Sequence, residues 1–202
     1  MSRQVPGGDD GEARVLERLA RAGAVLRGHF LLSSGRHSDT YVEKFRLLED
    51  PRATAELAES LAARLSPKRV DVVLSPAIGG IVLGFATALA LGTRFIFAER
   101  EAGEMRLRRG FAVREGERVA VVDDVVTTGG SLQEVLALVA PGELVAVGGL
   151  LDRSGALDLP FEITALARLD APSWEAQGCP LCARGVPLVA PGSRHLPSPA
   201  AS

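Results

Sequence analysis

The sequence predicts an α/β chain, with a parallel sheet buried between layers of helices. Three observations carry this. Five short runs, at residues 70–74, 94–98, 118–122, 144–150 and 161–165, are almost wholly apolar and rich in β-branched side chains. Strands of that kind are covered on both faces, as in sheets built from strand–helix–strand units. Segments with helical spacing lie between them, at 80–91 and 130–139. Finally, 202 residues with 47% hydrophobic content suit one ordinary core and are too few for two full catalytic domains.

In chain order, Asp9 or Asp10 is placed to cap a first helix whose apolar stripe runs through Val15, Leu16, Leu19 and Ala22. Asp50-Pro51 marks a second start, a capping acid before a proline at the first helical position, and Leu57, Leu61 and Leu65 follow on one face. The strands and intervening helices come next, interrupted by a polar, glycine-containing stretch at 99–116. The first ten or so residues and the terminal PGSRHLPSPAAS are rich in Pro, Gly and Ser and are expected to fray.

Charged residues make up 24% of the chain and the net charge is −2, which argues against a protein that lives on bulk nucleic acid or an anionic membrane surface. No apolar stretch approaches the ~20 residues of a membrane span. The amino-terminal MSRQVPGGDDGE has no apolar h-region, so no secretory signal is expected, and two cysteines make no disulfide scaffold. The expected compartment is the cytosol.

The chemistry concentrates in residues 119–131, VAVVDDVVTTGGS. A buried strand ends in Asp123 and Asp124, and a loop of Thr127, Thr128, Gly129, Gly130 and Ser131 leads into a helix. Open α/β sheets bind ligands at that position. Glycines let successive N–H groups converge on one point, hydroxyls add donors, and a helix start adds partial positive charge: a combination suited to phosphate. The two acids would lie about one sugar's length away, where carboxylates accept hydrogen bonds from ribose hydroxyls. A Walker B strand also ends in acids, but GxxxxGK[ST] occurs nowhere in the chain; nor does the GxGxxG dinucleotide fingerprint. Phospho-receiver domains have paired acids without this threonine-glycine loop, and a plain polar turn remains the structural alternative.

VAVVDDVVTTGGS resembles the thirteen-residue phosphoribosyl pyrophosphate signature of type I phosphoribosyltransferases. Three further segments are similar to the orotate phosphoribosyltransferases of that family. FLLSSGRHSDTY at 30–41 resembles their amino-terminal hood segment, SPAIGGI at 75–81 their pyrophosphate loop, and LDR at 151–153 the position of an arginine on the orotate carboxylate. The resemblance implies a type I phosphoribosyltransferase fold: a twisted parallel sheet flanked by helices, with a small hood. It also implies a single domain, with the first helix and hood over about 9–45, the core over about 50–170 and a tail over about 190–202. For the ribosyl donor, it implies Asp123 and Asp124 on the ribose hydroxyls, Val125, Val126, Thr127, Thr128, Gly129, Gly130 and Ser131 around the 5-phosphate, and Ala77, Gly79 and Arg100 toward the pyrophosphate. For orotate it implies Thr127, Arg153, Ser34, Gly35 and Arg36, and for catalysis Asp124, Asp123, Arg100 and Glu101. Mg2+, held mainly by substrate and water, is the implied cofactor, and a homodimer with shared active sites the implied assembly.

By the same resemblance the stretch 99–116 is a lid that closes over the site, with Arg108 and Arg109 as further cations; by its composition alone it is a solvated, charge-laced hairpin. The chain departs from the best-known branch here. No Lys or His lies between Glu99 and Gly116, Ser33 stands where a hood lysine is expected, Gly79 replaces a lysine, and the chain has only two lysines, Lys44 and Lys68. Arginine holds phosphate firmly but releases no proton near neutral pH, so lid cations are expected to stabilise charge without donating protons.

Cys179 and Cys182 have a knuckle spacing that supplies half of a tetrahedral zinc site. With only His29, His37 and His195 in the chain, the other half is read as missing and the pair as inert reduced thiols, ahead of a metal or crosslink shared across a dimer and of redox chemistry. His37 is expected to brace the hood, Trp174 to pack as core or dimer contact, and Tyr41 to belong to the hood strand. Two rival functions remain at this level: a purine-type phosphoribosyltransferase, against which Arg153 and the hood argue, and a non-catalytic sensor of the ribosyl donor, against which the lack of a helix-turn-helix or basic surface argues.

Overall fold

A computed structural model describes residues 8–32, 34–127, 129–154 and 161–191. The apolar runs become β3 (Val72–Pro76), β4 (Arg94–Glu101), β6 (Arg118–Val126), β7 (Glu143–Asp152) and β8 (Ile163–Arg168), all mutually parallel where they pair. A short antiparallel strand, β5 (Glu104–Leu107), closes the edge and gives the order β5-β4-β3-β6-β7-β8. Most strands begin or end a few residues from the apolar runs, because ladder hydrogen bonds extend beyond the buried stretch.

Period-two alternation assigns each side chain to one of two cores. Val73, Ala120, Val122 and Leu150 face one side, against α3 (Pro51–Leu65) and α4 (Gly79–Leu91). Val72, Leu74, Val119 and Val121 face the other, where α5 (Gly130–Leu136) contributes Leu132 and Val135. The start of α3 follows the expected chemistry: Asp50 accepts from the N–H groups of Arg52 (2.9 Å) and Ala53 (3.4 Å), with Pro51 behind it. Helix α1 (Gly8–Arg21) buries Val15 and Leu19 as expected, but Asp9 and Asp10 fall inside its first turn, not ahead of it. Helix α5 ends three residues short of the expected Val139, whose N–H turns back to the Leu136 carbonyl.

A second, three-stranded antiparallel sheet stands beside the first. β1 (Val25–Leu31) pairs with β2 (His37–Val42), and β2 pairs with β9 (Ser173–Trp174). Short helices α2 (Phe45–Leu48) and α6 (Pro180–Ala183) complete the described α-helices. The hood is thus closed by carboxyl-terminal chain: Trp174 sits opposite His37, and Val189 bridges to Phe30. This placement overturns one expectation. The ligands read as missing beside Cys179 and Cys182 are present within the chain, because the hood hairpin carries His29 and His37 to them. The expected tail beyond residue 191 lies outside the described residues. Among the described residues, no helix is long and apolar enough to cross a membrane.

Candidate active site

Strand β3 has β4 on one side and β6 on the other, so the chain reverses its winding direction between β3 and β6. A crevice opens at the carboxyl ends of strands at such a switch point. Two loops meet there: residues 77–80 after β3, and residues 127–129 after β6. Asp123 and Asp124, near the end of β6, are both buried, at 8% and 2% exposure. Asp124 N–H donates to Asp123 Oδ1 (2.8 Å), and Val125 N–H donates to Asp124 Oδ1 (2.6 Å).

The cation facing these acids is Lys44, at the start of α2 where the chain leaves the hood. Its Nζ donates to Asp124 Oδ1 at 3.1 Å and lies 2.9 Å from Oδ2, as an ion pair whose angle leaves Oδ2 without a hydrogen bond. Burial pushes the Asp123 carboxyl up to about 7, and the charge of Asp124 pushes the same way; the Asp124 amide and Lys44 hold it back. For Lys44, burial alone favours the neutral amine, but the charge and hydrogen bond of Asp124 outweigh it and raise the ammonium's affinity for its proton.

The sign of the stability effect follows. Between the ordinary carboxyl value and about 7, the folded chain holds a proton on Asp123 that the unfolded chain has lost, so this group makes stability fall as pH rises through that window. Melting temperatures of the wild type and Asp123→Asn, compared from pH 4.5 to 7.5, are expected to show the steeper decline in the wild type. Parallel curves would refute the raised value.

In the loop after β6, Gly129 is buried. Gly129 adopts φ +72°, where only glycine turns without strain, and Gly130 and Ser131 are exposed while Thr127 is half-buried. The first α-helical bond of α5 runs from Gln133 N–H to the Gly129 carbonyl (2.9 Å), so the preceding amides come before the helical ladder. Val125 packs on one core and Val126, 2% exposed, in the other; Thr128 lies outside the described residues. The opposing loop is pressed close. A Cβ on Gly79 would stand 2.2 Å from Asp124 Oδ2 and 2.9 Å from Lys44 Nζ, and one on Gly80 3.0 Å from the Val122 carbonyl. Ala77 N–H donates to the Ala98 carbonyl of β4 (2.7 Å).

Arg153, just beyond β7, reaches from the main sheet to the hood. Its Nη2 donates to the Thr40 carbonyl (3.2 Å), while its Nε is buried with no hydrogen-bond partner among the described residues. Arg36 is differently placed: Nε and Nη2 donate to Ser173 Oγ (3.0 Å) and its carbonyl (2.7 Å), and Nη1 pairs with Glu175. Its guanidinium is therefore a brace between the hood turn and β9. Ser34 and Gly35 form the exposed turn itself, with Gly35 N–H on the Leu32 carbonyl (2.9 Å).

The stretch read as lid or hairpin has the hairpin form at 99–107, through β4 and β5. Arg100 pairs with Glu134 of α5 (2.9 Å) and Glu101 with Arg108 (3.2 Å), while Arg109 lies 3.1 Å from Glu99 and over the Phe97 ring. The structure therefore brings Asp123, Asp124, Gly79 and the 127–131 turn together, and turns Arg100 and Glu101 toward other partners. Lys44 went unassigned from sequence. Its signal was its rarity, as one of two lysines in a chain with 23 Lys and Arg.

The comparisons agree with this geometry. The sequence model of the phosphoribosyl transferase domain matches residues 46–148, which span α3 to β7 and both loops. Orotate phosphoribosyltransferase of Caldanaerobacter subterraneus is 46% identical over 186 residues, 91% of this chain and 98% of its own length. That of Thermotoga maritima is 47% identical over 187 residues, 90% of this chain and 99% of its own. The crystal structure of orotate phosphoribosyltransferase from Aeropyrum pernix superposes with a TM-score of 0.64 at 30% identity, covering 77% of this chain and 93% of that one. Identity of this extent, carried across nearly the whole length of the relatives and matched by the fold, means that the chain belongs to the phosphoribosyltransferase family and, within it, to the orotate phosphoribosyltransferases.

Proposed function

We infer that the protein transfers the ribose 5-phosphate group of phosphoribosyl pyrophosphate to orotate, giving orotidine 5'-monophosphate and pyrophosphate. The observation that carries this is the meeting, at one switch point, of two buried acids and a glycine turn at a helix start. In the reaction orotate N1 attacks ribose C1, the C1–oxygen bond to pyrophosphate breaks with its electron pair leaving on oxygen, and the N1 proton is lost. The cation-like ribose of the transition state calls for positioning and charge compensation, with no covalent nucleophile.

In this reading the 127–131 turn holds the 5-phosphate, and Asp123 and Asp124 accept from the ribose hydroxyls. Lys44 holds the Asp124 carboxylate in place for that task, and the 77–80 loop faces the leaving group. The donor set at the acids is oxygen only, which suits Mg2+, and Lys44 already meets the charge of Asp124, which suits an ion carried by substrate and water. When bound, Mg2+ supplies charge compensation for the departing pyrophosphate. Arg100 and its neighbours, turned toward Glu134 and Glu99 here, act as charge-stabilising cations when substrate is present.

Arg153 decides the acceptor. A guanidinium whose Nε has no hydrogen-bond partner among the described residues suits the carboxylate of orotate, which adenine and xanthine lack. Arg153→Ala is expected to raise the orotate KM about 10- to 100-fold, the worth of one hydrogen bond to a charged group, with the donor KM little changed. Equal effects on both substrates would remove Arg153 from the acceptor side. Pyrophosphate release measured with orotate, adenine and xanthine in turn tests the whole assignment; turnover of a purine but not of orotate would overturn it. Donor binding without turnover, together with nucleic-acid affinity, would favour the sensor.

The working form in this proposal is a cytoplasmic homodimer. Ile78, Val82, Phe85 and Leu89 form an exposed apolar stripe along α4, at 77%, 37%, 57% and 73% exposure, and a patch of this kind marks an interaction surface. Phe85→Asp is expected to shift the mass in sedimentation from dimer to monomer. An unchanged mass would place the dimer contact elsewhere.

A further inference from the structure

We propose that the hood carries a structural zinc site, with His29, His37, Cys179 and Cys182 as its four ligands. It uses none of the residues around Asp123 and Asp124 and does not depend on what reaction the enzyme performs.

The four side chains converge at the spacing of a metal site. One ligand atom from each of the four residues lies within 4.8 Å of all the others. His29 Nε2 is 3.0 Å from His37 Nδ1, 3.4 Å from Cys179 Sγ and 3.7 Å from Cys182 Sγ, and Cys182 Sγ is 3.3 Å from His37 Nδ1. Zinc bonds of about 2.0 Å to nitrogen and 2.3 Å to sulfur in a tetrahedron require edges of about 3.3 to 3.8 Å. Four groups from β1, β2 and the Cys179–Cys182 segment, up to 153 positions apart, meet with separations of 3.0 to 3.7 Å, close to that spacing.

Hydrogen bonding within the cluster points the same way. His29 Nδ1 lies 2.8 Å from the Val186 carbonyl, and a carbonyl only accepts, so Nδ1 carries the proton and Nε2 turns a bare lone pair inward. An imidazole fixed by such an outer carbonyl is the usual setting of a metal ligand. Without a cation, that single lone pair would face the Nδ1 of His37 and two thiols, three groups for one acceptor site. A cation engages all four lone pairs together. His29, His37 and Cys179 are buried and Cys182 is exposed, which closes the site on the inside and leaves an entry path from solvent. Two thiolates and two neutral imidazoles around a divalent ion sum to zero charge, which a mostly buried site tolerates. Among common metals, a tetrahedral set of two sulfurs and two nitrogens selects zinc.

The position assigns the ion a task. Leu31 N–H donates to the Val189 carbonyl (2.9 Å) and Val189 N–H to the His29 carbonyl (2.8 Å), and these backbone contacts, the two-residue β9 and the Arg36 brace already tie the carboxyl-terminal segment to the hood. The zinc fastens both strands of the hood hairpin to that segment, immediately beside the 32–36 turn.

The test is metal analysis of the tag-free, full-length protein purified under reducing conditions and dialysed extensively. About one zinc ion per chain is expected, falling to about none in Cys182→Ser, with a lower Tm on chelation. Cobalt substitution provides a second readout: the wild type is expected to show the visible bands and sulfur charge transfer of a tetrahedral two-thiolate site, and Cys182→Ser to lose them. Wild-type protein that takes up neither ion, a Cys182→Ser variant with full zinc, half an ion per chain, or a Cys179–Cys182 disulfide in the reduced preparation would each overturn the proposal.

Discussion

Asp124→Asn is expected to lower kcat/KM for phosphoribosyl pyrophosphate by about 10²- to 10⁴-fold while the chain stays folded. A carboxylate accepting from two ribose hydroxyls makes two charge-assisted hydrogen bonds, each worth about 1.5–3 kcal/mol, and every 1.36 kcal/mol is a factor of ten in rate. Asparagine keeps one carbonyl oxygen but loses the charge, and its amide presents donors where the sugar also presents donors. The variant also strands Lys44. Removing one partner of a fully buried pair costs about 3–5 kcal/mol, but the Lys44 side chain is 27% exposed, so the loss falls below that range. Steady-state kinetics with the donor varied, alongside a melting curve, check both parts. Activity within a few-fold of wild type would detach Asp124 from the sugar.

Gly79→Ala is expected to be nearly as severe, although it adds one methyl group. That carbon would stand 2.2 Å from Asp124 Oδ2 and 3.0 Å from Cγ. The carboxylate cannot swing away cheaply, because Val125 N–H and Lys44 both hold Oδ1. The loop must therefore lift or the ion pair must break. Overpacking of this kind costs about 1–3 kcal/mol of stability, and displacement of a positioning group by about 1 Å costs on the order of 10²-fold in rate. The donor KM and the melting temperature of the variant test this together. A silent substitution would mean that the 77–80 loop is looser than its contacts indicate.

The same position shows where sequence reading stops. Gly79 was legible as a departure from the lysine of the better-known branch, but its reason was not: the Cβ space is taken by Asp124 and by an ammonium from Lys44, 35 positions earlier. Arg153 was found from a three-residue motif, yet only the fold shows its Nε buried beside the hood, with no partner among the described residues. Arg36 fell within the hood motif, and the fold spends its guanidinium on Ser173 and Glu175. Arg100 and Glu101 were carried over from the lid; in the structure they meet Glu134 and Arg108 on an ordinary hairpin.

Helix spacing, apolar strands, the Asp50-Pro51 start and the signature from Val119 to Ser131 were all readable because each depends on neighbours within a few residues of chain. Periodicity and turn chemistry are local, and so is a strand that delivers acids directly into a glycine turn. What joins distant segments was unreadable for the same reason. Lys44 reaches Asp124 across 80 positions, and the two cysteines meet His29 and His37 across about 150. A side chain's partner is chosen by sheet order and by the closing of the hood over the carboxyl-terminal segment, and no local pattern encodes either.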